Sequence, residues 1–120
     1  MLFFEALYEL MIKYYLHKDR AKENVDGPFY TVDIGADCGC GLPEAVAPEL
    51  LKTSTDCRYQ TYFFKQPQTD LEITHVIEAI NVCGIHDIRY GGKNPSIISQ
   101  IRSGQTDFVI SKNGEVILSS

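Results

Sequence analysis

The stretch Asp37-Cys38-Gly39-Cys40-Gly41-Leu42-Pro43 limits where regular structure can run and where it must begin. Glycines and cysteines alternate there, which interrupts both helical and strand periodicity. Pro43 suits the first turn of a helix, because its φ is already helical and the missing N–H has no partner at that position. A short helix from Glu44 to Leu51 is expected behind the loop. In front of it, Gly27-Pro28 marks a turn and Phe29-Tyr30-Thr31-Val32 reads as a strand.

Periodicity gives the remaining elements. Leu2 to His17 reads as an amphipathic helix, with Phe3, Leu7, Leu10, Met11 and Tyr14 at i, i+3, i+4 spacing and further aromatic surface beside them. Polar residues from His17 to Asp26 make a loop. Arg58 to Lys65 alternates and is rich in aromatics, so a strand is expected. Thr69-Asp70-Leu71-Glu72 has capping-box spacing, and the helix it opens runs to about Val82 with Leu71, Ile73, Val76, Ile77 and Ile80 inward. Ile85 to Tyr90 reads as a strand, and Asn94-Pro95 starts a short helix to about Ile101. Asp107-Phe108-Val109-Ile110 and Glu115-Val116-Ile117-Leu118 flank Lys112-Asn113-Gly114, which predicts a β-hairpin.

A chain of 120 residues is one domain. Sixteen acidic against eleven basic residues give a net charge of −5, which argues against a general nucleic-acid binder and suits a basic partner. The same charge also serves simply to keep a small domain in solution. No stretch is apolar enough to span a bilayer, and the start lacks the pattern of a signal peptide. A cytoplasmic protein without a membrane role is expected, with free thiols or metal ligands rather than disulfides.

Four cysteines, Cys38, Cys40, Cys57 and Cys83, leave several chemistries open. C-x-C with two scattered cysteines is a weak zinc pattern, since structural zinc sites space their ligand pairs C-x₂₋₄-C. A helix start behind Cys38 and Cys40 would lower a thiol pKa and favour redox chemistry. The plainer reading is that these are packing cysteines. His75 reads as a solvated residue on the polar side of its helix, and His17 as a cation at a helix end. Cys83 and His86 lack the orienting group and oxyanion site of a thiol hydrolase, so no enzyme is expected. Gly91-Gly92-Lys93 is a turn, without the flanking residues of a phosphate-binding loop.

Four segments in order carry a resemblance: Gly27-Pro28-Phe29-Tyr30, Glu44-Ala45-Val46-Ala47-Pro48-Glu49-Leu50, Tyr62-Phe63-Phe64-Lys65-Gln66-Pro67 and Glu78-Ala79-Ile80-Asn81-Val82-Cys83. Together, over about residues 24–90, they resemble the bacterial single-cluster 4Fe-4S ferredoxins. In that family a strand leads into C-x-x-C-x-x-C-x-x-x-A-P. A short helix, a Tyr-rich strand, an acidic helix and a final Cys-Pro come next. The resemblance implies a ferredoxin-like core (24–90); with the N-terminal amphipathic helix (1–23) and the C-terminal helix and β-hairpin (91–120) read from the residue pattern outside it, an α+β fold is expected.

Aligned on Ala47-Pro48, the three proximal ligand positions fall on Asp37, Cys40 and Pro43, and the distal one on Cys83. Only Cys40 and Cys83 match. Cys38 is one residue out of register, Asp37 is at most a carboxylate ligand, and Pro43 has no donor. A cluster would therefore need a rebuilt set, such as Cys38, Cys40, Cys57 and Cys83. The expectation is a cluster-free scaffold that binds a protein, in its sharpest form an immunity protein covering the active site of a basic toxin. Asp33, Asp37, Glu44, Glu49, Asp56, Asp70, Glu72 and Glu78 are its candidate contact residues. The alternative is an iron–sulfur electron carrier. A homodimer through the aromatic N-terminal helix is a further expectation.

Overall fold

The computed structural model describes residues 14–33, 42–55, 60–82, 87–102 and 104–119. They form an α+β fold of three two-stranded antiparallel sheets and three helices. In chain order these are β1 (Phe29–Thr31), α1 (Leu42–Val46), β2 (Leu51–Thr53), β3 (Thr61–Phe63), α2 (Asp70–Val82), β4 (Ile88–Tyr90), α3 (Pro95–Gln100), β5 (Phe108–Ile110) and β6 (Val116–Leu118). β1 pairs with β4, β2 with β3, and β5 with β6.

The core lies between the first two sheets and α2. Phe29, Leu50, Phe63, Val76, Ile80 and Ile88 pack there with Tyr90, all nearly or fully buried. The Phe29 and Tyr90 rings lie 4.6 Å apart between centroids. Helix α2 starts as its capping box requires: Thr69 Oγ1 accepts from Glu72 N–H at 3.1 Å, and Glu72 Oε1 accepts from Thr69 N–H at 3.3 Å. Asn94 caps α3 through its side-chain oxygen, which accepts from Ser96 N–H at 2.9 Å, with Pro95 in the first turn.

The two central sheets do not share a backbone ladder; side-chain amides join them. Val32 N–H donates to Asp87 O and Gly91 N–H to Pro28 O, so alternate residues of the β1 strand face β4. Phe29 and Thr31 therefore turn their backbone groups outward. Gln66 closes the first: its Oε1 accepts from Phe29 N–H at 3.1 Å and its Nε2 donates to Phe29 O at 2.8 Å. Asn24 closes the second, with Oδ1 accepting from Thr31 N–H at 3.3 Å and Nδ2 donating to Thr31 O at 3.0 Å. The same Asn24 oxygen accepts from Phe63 N–H of β3 at 2.9 Å. A carboxamide carries the donor and acceptor of a peptide unit, so it can stand in for a missing strand. Gly27, at φ +145°, lies under Gln66, and a Cβ there would stand 2.3 Å from the Gln66 amide carbon.

Several expectations change. Helix α1 runs Leu42–Val46 rather than to Leu51, because Pro48 cannot donate to a continuing helix and disfavours helical geometry at Ala47. The released residues Leu51–Thr53 instead form β2, an element not expected from the sequence pattern. Leu71 is 65% exposed, because it shares the side of α2 that Glu78 presents outward, away from buried Val76, Ile77 and Ile80. Residues 14–17 are not helical; the rest of the expected N-terminal helix lies outside the described residues. The hairpin at Asn113-Gly114 is present, with Gly114 at φ +83°. No described helix is long and apolar enough to cross a membrane.

Replacing Gln66 by Ala should cost about 1–3 kcal/mol in chemical denaturation, because two buried backbone groups of Phe29 lose their partners. Asn24→Ala should cost a similar amount. Gly27→Ala should destabilise as well, through strained backbone and a displaced Gln66.

Candidate functional site

All four cysteines, together with Asp37, Asp56 and His86, lie outside the described residues. What the structure places is the ground on which the cysteine-bearing segments begin and end. Val32, just before segment 34–41, donates its N–H to Asp87 O at 2.9 Å, and Asp87 directly succeeds segment 83–86. Gln60, directly after segment 56–59, points Nε2 at Thr61 O (2.8 Å) and Val32 O (3.5 Å). Glu44, in the helix after the first segment, accepts from Thr61 Oγ1 at 2.7 Å and from Thr53 Oγ1. The other oxygen of Glu44 is buried and has no hydrogen-bond partner among the described residues. One flank of each cysteine-bearing connection is therefore tied to the others through Val32.

An iron–sulfur cluster in the register of the resemblance does not fit. Pro43 takes a ligand position, yet it is fully buried in α1 and offers no donor atom. Among the described residues no group of three or more His, Cys, Asp or Glu side chains could hold a metal ion.

The expected acidic contact residues divide. Three are engaged within the fold: Glu44 with the two threonines, Glu49 with His75 Nδ1 at 2.9 Å, and Glu72 with Lys65 Nζ at 2.7 Å. The Lys65 hydrogen bond, then backbone donors, hold the Glu72 carboxyl below its ordinary pKa. His75 is thus a half-buried partner of Glu49 rather than a solvated side chain. The backbone N–H of Asp33 donates to Asp19 O at 2.7 Å. Asp70 and Glu78 are exposed on α2. Beside them stand Leu71 (65% exposed) and Val82 (43% exposed). Leu71, Glu78 and Val82 have i, i+7, i+11 spacing, which puts them on one outward stripe, with half-buried His75 between them against Glu49.

A second cluster has no forerunner in the sequence pattern. The Tyr30 hydroxyl donates to Asp107 Oδ2, while Arg89 donates to Asp107 Oδ1 from Nη2 (2.6 Å) and Nε (3.1 Å). Arg89 Nη1 also reaches Gly104 O at 2.8 Å. Burial above all, then the Asp107 hydrogen bond, raises the Tyr30 pKa. Burial of Arg89 opposes its charge, but the hydrogen bonds and charge of Asp107 outweigh that and hold its pKa high. The cluster borders a cavity of about 250 Å³ lined also by Tyr15, His17, Leu118 and Ser119. Every strong polar group in it already has a partner, so it works as a clamp between the core and residues 104–107. No sequence signal marks it, because its three members lie 18 to 77 residues apart.

No protein-family model matches this sequence, and comparisons with characterised proteins and with solved structures return no match.

Asp107→Asn should cost about 3 kcal/mol, since it leaves the largely buried Arg89 charge uncompensated. The raised Tyr30 pKa also fixes a pH dependence. The folded value lies above the unfolded one, so its contribution is complete below about pH 10 and is lost as pH rises toward the folded value. Urea midpoints measured from pH 8 to 11.5 should therefore fall at the alkaline end, and Tyr30→Phe should flatten that fall.

Proposed function

We propose that this chain is a non-enzymatic protein-binding module on a cluster-free ferredoxin-like scaffold, and that it meets a basic protein partner through the outward face of α2. The observation that carries the reading is the exposure of Leu71 and Val82 beside Asp70 and Glu78 on one helix. Apolar residues that the core does not claim, set among acids, suit a contact whose centre is dry and whose rim is charged. Support for the scaffold comes from the order β1–α1–β2–β3–α2–β4, which keeps the strand, short helix, strand and acidic helix of the resemblance in sequence. Support for a cluster-free state comes from buried Pro43. In its sharpest form the partner is a basic toxin domain, and the chain is the immunity protein that covers its active site.

This face is narrower than the acidic set read from the sequence. Glu44, Glu49 and Glu72 serve the fold itself, so charge reversal at Asp70 and Glu78 is the informative change. Titration of the protein against a basic toxin domain encoded beside it should show a complex by calorimetry. Leu71→Asp with Val82→Asp, or Asp70→Lys with Glu78→Lys, should weaken it at least about tenfold, while stability falls by no more than about 1–2 kcal/mol from the unfavourable charges at the helix ends. Unchanged affinity in both double variants would exclude this face.

One observation favours a second reading, an electron carrier with a rebuilt ligand set. Val32, Gln60 and Asp87, one flank each of the segments bearing Cys38 and Cys40, Cys57, and Cys83, are linked by hydrogen bonds through Val32. Absorbance of anaerobically purified protein decides it. A broad visible band bleached by dithionite supports the carrier, and a colourless, iron-free sample removes it.

A further inference from the structure

We propose that the chain forms a two-fold dimer in which β6 pairs antiparallel with β6 of a second copy, centred on Ile117. The hairpin register makes the geometry explicit. Ser119 N–H donates to Asp107 O and Ser111 N–H to Glu115 O, both at 2.7 Å, so residues 115, 117 and 119 turn their backbone toward β5. Period-two alternation then points the N–H and C=O groups of Val116 and Leu118 away from β5. None of these groups has a backbone partner outside the hairpin among the described residues. On the other side, β5 packs against α3, and Lys93 Nζ lies 5.3 Å from the Phe108 ring centre. The open edge of the hairpin is β6.

This edge is short and begins at Glu115, but it lacks three of the usual protections. Residues 115–119 contain no proline and no lysine, and the register runs without a bulge. Its apolar side chains are only partly used: Val116 packs against the core, while Ile117 and Leu118 remain 46% and 51% exposed. An isolated two-stranded hairpin is marginal in water, and a second hairpin edge to edge makes a four-stranded sheet.

A second copy fits because the strand is complementary to itself. With the two-fold axis at Ile117, Ile117 faces its own counterpart in a non-hydrogen-bonded pair. Val116 faces Leu118 of the other copy, and the outward groups of these two positions form about four hydrogen bonds across the axis. Glu115 meets Ser119 of the other copy, so no like charges oppose one another. The closed two-fold arrangement consumes both free edges.

Sedimentation equilibrium of the full chain tests this, with circular dichroism confirming that each variant is folded. A reversible monomer–dimer equilibrium is expected. Ile117→Lys, which opposes two ammonium groups, should raise the dissociation constant at least about 30-fold. Leu118→Pro deletes an outward donor and spares the bonds to β5, so it should do the same. The charge pair keeps the test independent of folding losses: Ser119→Glu, facing Glu115, should weaken the dimer, and Ser119→Lys should strengthen it. A Phe4→Glu/Tyr8→Glu variant, which alters the aromatic N-terminal segment read from the sequence as a dimer surface, should remain dimeric. The proposal is overturned by a chain that stays monomeric at all concentrations. It is equally overturned by a dimer indifferent to the Ile117, Leu118 and Ser119 changes, or by one lost only on altering Phe4 and Tyr8.

Discussion

The fold depends on how two sheet edges that cannot reach each other are joined. β1 and β3 lie side by side without a ladder, and each presents backbone groups that would be costly to leave unpaired in the interior. Asn24 spans that gap, bonding Thr31 on one edge and Phe63 on the other, while Gln66 serves Phe29. Gln60 and the Thr31 hydroxyl converge on Thr61 O and finish the seam. With those groups satisfied, Phe29, Phe63 and Tyr90 can meet from different sheets and bury the core against α2. The turn at Gly27-Pro28 and the turn at Lys65-Gln66-Pro67 are thereby one structural device rather than two.

A second set of polar contacts attaches the C-terminal hairpin to the core. Gln105, fully buried, donates to Ile80 O at the end of α2 and to Ile88 O in β4. Thr106 bridges to Tyr90 in parallel, and Asp107 is held by Tyr30 and Arg89. These bonds fix the base of the hairpin and leave its far strand free. The described residues thus form a firmly tied centre, and the outward stripe of α2 and the edge of β6 are among the surfaces that centre does not use. Both are partly apolar, which is why binding rather than chemistry is the function argued from them.

Local patterns were legible wherever backbone chemistry is decided within a few residues. The Thr69–Glu72 capping box, the Asn94-Pro95 helix start and the Asn113-Gly114 hairpin all stand as read. The sequence alone determined them because caps and turns draw their partners from three or four neighbours. It also set the α+β class and the order of most elements. The difference at α1 is also local in origin: Pro48 stops the helix early and frees Leu51–Thr53 to become β2. Tertiary structure alone decided which polar residues serve the fold. Asn24 and Gln66 read as loop residues, Glu49 as a partner contact, His75 as a solvated side chain, and Tyr30, Arg89 and Asp107 as unrelated. Each became structural only when partners distant in sequence were brought within hydrogen-bond reach, and no pattern of spacing encodes that distance.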